Sequence, residues 1–181
     1  MEAQAKSRRA NVNDTLTVAS ILMQPVGSGE LTDDQCLQIF WVSVLNWRPL
    51  TLTTLDEMVS SGVHSHLDDR ELRALLFSLN AEMQNFSLYM QLVRDQQNIL
   101  MDLYPDLLPR GVDENREASI ECNTDGMRAN QAFINHLMSN IGRYEGMVRS
   151  LESELEALRA IHDRLDVVLE ASNEETVNIH E

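Results

Sequence analysis

The sequence predicts an all-α protein: a small N-terminal helical head followed by two long heptad-patterned helices, paired as an antiparallel coiled-coil hairpin. Three observations carry this reading. Apolar residues recur at alternating spacings of three and four over 66–104 and again over about 126–172, which is the signature of a coiled-coil seam. No proline or glycine interrupts the first stretch. Two capping-box patterns, Thr32-Asp33-Asp34-Gln35 and Thr54-Leu55-Asp56-Glu57, mark helix starts ahead of it.

Taken in chain order, residues 1–13 read as a disordered polar tail, with Lys6, Arg8 and Arg9 solvated rather than an import signal. The head spans 14–62. It opens with Asp14 as an N-cap and a short helix, with a strand as the alternative, through Leu16, Val18, Ala19, Ile21, Leu22 and Met23, stopped by Pro25. Gly27, Ser28 and Gly29 make a loop. From Thr32 a helix should run through Cys36, Phe40, Trp41 and Trp47 to just before Pro49, because a residue preceding proline is pushed out of α geometry. Its apolar residues surround the axis, so it needs neighbours on several sides. A short helix from Thr54 ends at Gly62.

The hairpin spans 63–172. The seam of its first rod (66–104) is Leu72, Leu76, Leu79, Met83, Phe86, Met90, Val93, Gln97 and Leu100, and Pro105 ends it. That of its second rod (about 126–172) is Met127, Asn130, Ile134, Leu137, Ile141, Tyr144, Val148, Leu151, Leu155, Leu158, His162, Leu165 and Leu169. Gly142 and Gly146 weaken this helix by about 1 kcal/mol each relative to alanine and leave room for a neighbouring backbone. Residues 105–125 form a turn region around Pro105, Pro109 and Gly111, with part of 113–122 expected to be helical. Residues 173–181 read as a disordered acidic tail.

A short connection favours antiparallel neighbours. The register that suits the 105–125 turn sets Leu100 beside Met127, Val93 beside Ile134, Phe86 beside Ile141 and Leu72 beside Leu155. It also pairs Gln97 with Asn130 as one polar layer that would fix the register. Two apolar surfaces then lack cover: Leu165, Val168 and Leu169 at one end, and Leu88, Leu92 and Ile99 on the outer side of the first rod. Either the head folds back over the first or another subunit covers it, and the second makes the same demand, so oligomerisation through at least one of them is expected.

Composition narrows the function. With 29 acidic and 14 basic residues the net charge is −15, which repels nucleic acid and anionic lipid. No apolar run approaches the roughly 20 residues that span a bilayer, and the polar N-terminus lacks the apolar core of a signal peptide. A soluble, intracellular protein is expected, in the cytoplasm ahead of the nucleus. Cys36 and Cys122 match no metal or redox spacing and read as reduced thiols.

Chemistry is sparse. No Glu-x-x-His pair of a di-iron bundle, Gly-rich phosphate loop, nucleophile elbow or Cys-His pairing occurs. His64-Ser65-His66 reads as a capping segment rather than a zinc site. His162 reads as a tolerated polar seam position, with a protonation-sensitive register pin as the sharper alternative. Asp68, Asp69 and Glu71 suit the positive end of a helix; Glu152, Glu154 and Glu156 read as a solvated helix surface. Trp41 and Trp47 belong to the core or anchor a partner.

The expected function is therefore a non-catalytic structural or assembly subunit that joins other protein subunits through its helices. No catalytic residue, cofactor, metal or small-molecule substrate is implied. The alternative is a homo-oligomeric adaptor whose head or tail binds a client, and a helical-bundle enzyme ranks third.

Overall fold

The computed structural model describes residues 2–44, 52–112 and 118–178. The chain is mostly helical, and it divides into two compact units that cut across the expected order of head then hairpin. Met1–Trp47 and Gln91–Arg149 form the first; Arg48–Met90 and Ser150–Glu181 form the second.

In the first unit, helix α1 runs Glu2–Leu22, so the expected disordered tail is helix from Glu2 onward. Alanine, glutamate, lysine and arginine at these positions are strong helix formers, and Ala5 and Val12 hold this first half down by being buried. Pro25 and the left-handed Gly27 and Gly29 follow, as the loop pattern required. Helix α2, Asp33–Ser43, starts with the predicted capping box: Gln35 N donates to Thr32 Oγ1 at 3.3 Å and Thr32 N to Gln35 Oε1 at 2.9 Å. It stops at Ser43, earlier than the proline rule implied, and the expected continuation through Trp47 lies outside the described residues. Helix α2 packs against α1, against α5 (Leu100–Leu103) and against the strand Ala118–Ile120.

The region expected to be partly helical contains the chain's departure from an all-α fold. Strands β1 (Arg110–Val112) and β2 (Ala118–Ile120) pair antiparallel, Gly111 opposite Ser119. Pro109 blocks helix continuation, and Val112 and Ile120 favour extended backbone. The Cys36 and Cys122 side chains, expected to be separate thiols, are joined as a disulfide that ties α2 to the residues just beyond β2.

Helix α6, Thr124–Ala129, is capped by Asn123, whose Oδ1 accepts from Gly126 N at 2.9 Å. It also holds the Pro25–Leu31 loop. Gly27 N donates to Asp125 Oδ1 at 2.8 Å, Leu31 N to Thr124 Oγ1 at 3.0 Å, and Arg128 Nη1 to the Gly29 carbonyl at 2.6 Å. Helix α7 then runs Gln131–Asn178, past the expected boundary of the acidic tail.

The second unit contains helix α3 (Thr53–Ser60), a 3-10 turn (Val63–His66), and the parts of α4 (Arg70–Asp95) and α7 that belong to it. The expected capping box at Thr54 does not form: Leu52 occupies the N-cap position without a side-chain bond. Gly62, at φ +75°, closes the helix as expected. His64 and His66 lie in the 3-10 turn, and α4 is started instead by Asp69, whose Oδ1 accepts from Leu72 N at 2.7 Å. Leu55, Leu72, Leu79, Met83 and Ile161 form the core, with Leu52, Val59, Leu75, Leu76, Ala157 and Leu158 packed around it. Each buried aliphatic side chain contributes about 1.5–3 kcal/mol.

Candidate functional site

Most of the predicted seam is buried. Leu72, Leu79, Met83, Phe86, Met90, Val93 and Leu100 are inside, as are Ile134, Leu137, Ile141, Tyr144, Val148 and Leu151. Leu76 and Leu158 are partly buried against the second unit's core, and Leu155 is half-buried. The first rod is nevertheless not one helix. Helix α4 ends at Asp95, and Leu100 belongs to the separate α5.

The cause of that break replaces the expected polar layer. Asn140 is fully buried and grips the backbone of Asn98 with both ends of its amide: Oδ1 accepts from Asn98 N at 3.3 Å and Nδ2 donates to the Asn98 carbonyl at 2.7 Å. Two backbone groups that would extend a helix are thus used sideways. Gln97 does not meet Asn130. Its amide donates to the Ser43 carbonyl, while Asn130 caps α7, accepting from Phe133 N at 3.0 Å. Gly142 brings no backbone close, since nothing lies within 4 Å of where its Cβ would be.

Within the second unit, α4 and α7 are cross-linked by polar contacts. Arg164 binds Asp69 at 2.5 Å and Glu71 at 3.1 Å, and Ser153 Oγ donates to Glu82 Oε2 at 3.2 Å. In the expected register Asp69 would be level with Leu158; its partner lies about a turn and a half further on. The Arg164 guanidinium, together with the Leu72 N–H, holds the Asp69 carboxyl below the usual carboxylate range.

The largest departure from the sequence reading is Glu154. Expected on a solvated face, it is 2% exposed, and neither carboxylate oxygen has a hydrogen-bond partner. Burial, aided by the nearby Glu82 charge, pushes its pKa up to about 7. The buried stripe of α7 passes through Leu151, Glu154, Leu158 and Ile161. One repeated spacing of three has slipped the stripe back by a residue, which rotates Leu155 and His162 outward. His162 is 76% exposed, with Nδ1 3.3 Å from Asp166, so it is no seam residue. Glu82 and Glu154 line a cavity of about 300 Å³ together with Asn85, Phe86, Tyr89, Ser150 and Ser153.

Apolar side chains also face outward. Phe77 (59%) and Leu88 (64%) stand on one side of α4 in the second unit, and Leu165, Val167 and Leu169 are exposed toward the end of α7. Leu92, Ile99 and Trp41 are exposed in the first unit, whereas Trp47 lies outside the described residues. Phe77 and Val167 fell off the heptad and were missed. No helix among the described residues is long and apolar enough to cross a membrane. The chain matches no protein-family model, no curated protein and no solved structure.

Proposed function

We propose that this protein is a non-catalytic assembly subunit whose α4 and α7 pair as an antiparallel coiled-coil hairpin and present apolar side chains to other protein subunits. The observation that carries this reading is the outward face of α4. Phe77 and Leu88 are eleven residues apart, close to three full turns, and therefore project from the same side. Large aromatic and aliphatic side chains left in water on one helix face are the usual mark of a docking surface. The Asp69–Arg164 and Glu82–Ser153 contacts support the pairing of the two helices. An intracellular, soluble setting belongs to the same proposal. The Cys36–Cys122 pairing weighs against it, because persistent disulfides belong to oxidising compartments.

The test is mass in solution for the wild type and for Phe77→Glu with Leu88→Glu, alone and after co-purification from the native source. The reading expects an oligomer, or a stoichiometric foreign subunit, that the charged variant loses while keeping its helical signal and melting temperature. A wild type that remains a lone monomer in both preparations sinks it. A homo-oligomer without other chains selects the adaptor form of the proposal.

A further inference from the structure

We propose that the cavity lined by Glu82 and Glu154 is a receptor for an arginine side chain carried by a partner protein; this deepens, and rests on, the assembly reading above. Glu154 is buried with both oxygens unpartnered, and an uncompensated buried carboxylate is among the costliest arrangements a fold can keep. Nothing in the packing of the second unit requires an acid there, since leucine would fill the same stripe. A second carboxylate, Glu82, lines the same cavity instead of a countercharge. Two acids converging on one hollow leave it short of positive charge.

The lining selects among cations. A divalent metal needs six or more oxygen ligands in the case of calcium, and among the described residues no group of three or more His, Cys, Asp or Glu is placed to hold one. A guanidinium is planar and carries five N–H donors. Carboxylates of Glu82 and Glu154 and the side-chain carbonyl of Asn85 supply acceptors, and Phe86 and Tyr89 supply aromatic surface of the kind on which guanidinium groups stack. A volume of about 300 Å³, equal to about ten waters at roughly 30 Å³ each, admits a whole arginine side chain. The Glu154 oxygens are closed to water as they stand, so the entering group reaches them by turning a carboxylate side chain through one rotamer. A net charge of −15 draws basic partners toward the chain.

The experiment titrates N-acetyl-arginine amide into the full chain at neutral pH. Heat is recorded in two buffers of different ionisation enthalpy, and backbone amide shifts are followed by NMR. Saturable binding should shift the amides around Glu82 and Ser153, and it should release protons, because the cation favours the ionised form of Glu154. Glu154→Gln should weaken binding about tenfold or more and abolish the proton release; Glu82→Gln should weaken binding and reduce the proton release without abolishing it, since burial still raises the Glu154 carboxyl. N-acetyl-citrulline amide, the neutral isostere, should not bind.

Equal binding of the citrulline compound, an unchanged response in both variants, or no saturable binding would each overturn the proposal. Free arginine binding more tightly than the blocked amide would overturn its assignment to a partner protein. If the chain assembles through Phe77 and Leu88 while the arginine amide leaves Glu154 untouched, this inference fails alone. If the amide binds as described while the chain stays a lone monomer, it is the assembly reading that fails.

Discussion

Replacing Glu154 by glutamine gives the sharpest thermodynamic test of the second unit. The carboxyl is raised from 4.5 to about 7, so the fold holds the proton more tightly than the unfolded chain does. At about 1.4 kcal/mol per unit this corresponds to about 3 kcal/mol. The sign follows from proton binding. Below pH 4.5 both states are protonated and the group is neutral in the balance. Between 4.5 and about 7 only the folded state keeps the proton, so stability falls as pH rises; above 7 the loss is complete. Glutamine has the same shape and no charge to bury, so the Glu154→Gln advantage over wild type should grow by about 3 kcal/mol between pH 4.5 and pH 8. For a chain of this size that is roughly 6–12 °C in melting temperature. Asp69 and Asp125 act with the opposite sign, their carboxyls being lowered by arginine and backbone partners. Their contribution is lost as pH falls below the carboxylate range, outside the window that tests Glu154. Urea denaturation of both proteins across pH 4.5–8 is the assay. A difference that stays constant with pH would refute the burial of an unpartnered carboxylate.

Three further predictions follow from other parts of the fold. Reduction, or Cys36→Ser, opens a cross-link with a sequence separation of 86, and chain entropy sets the loss at about 4.6 kcal/mol; denaturation with and without dithiothreitol measures it, and coincident curves contradict the pairing. Asn140→Leu strands the amide and carbonyl of Asn98, for a loss of about 1–3 kcal/mol, and hydrogen exchange should quicken at Asn98 first. Gly142→Ala fills open space in a helix interior and should stabilise by about 1 kcal/mol, read as a higher urea midpoint with an unchanged slope.

What the sequence disclosed tracks the range of the forces involved. The Thr32–Gln35 capping box, the loop at Gly27–Gly29 and the helix stop at Gly62 rest on bonds and torsions within a few residues and were readable, whereas the equally local box at Thr54 was read and does not form. The apolar members of both rods were readable as buried because periodicity registers which face needs cover. Periodicity does not register backbone hydrogen bonds, so it ran on through 96–99, where a side chain from Asn140 ends the helix. It was also blind to the one-residue slip that turned Glu154 inward and His162 outward, since both stripes score alike until the neighbours are known. The polar first half of α1 was missed for a related reason: it is held by burial of Ala5 and Val12, two small residues that leave little trace in a hydropathy pattern.

The loop between α1 and α2 is fastened chiefly by its main chain, with the Leu31 side chain buried at its end. Helix α6 grasps the amides of Gly27 and Leu31 and the carbonyl of Gly29, using Asp125, Thr124 and Arg128. The side chains of Met23 and Val26 point into water and contribute nothing to the fastening. Information about the loop's position is therefore stored almost a hundred residues away, and its own outward residues are free to be rewritten, so a label or recognition peptide could be displayed there without disturbing the helices on either side.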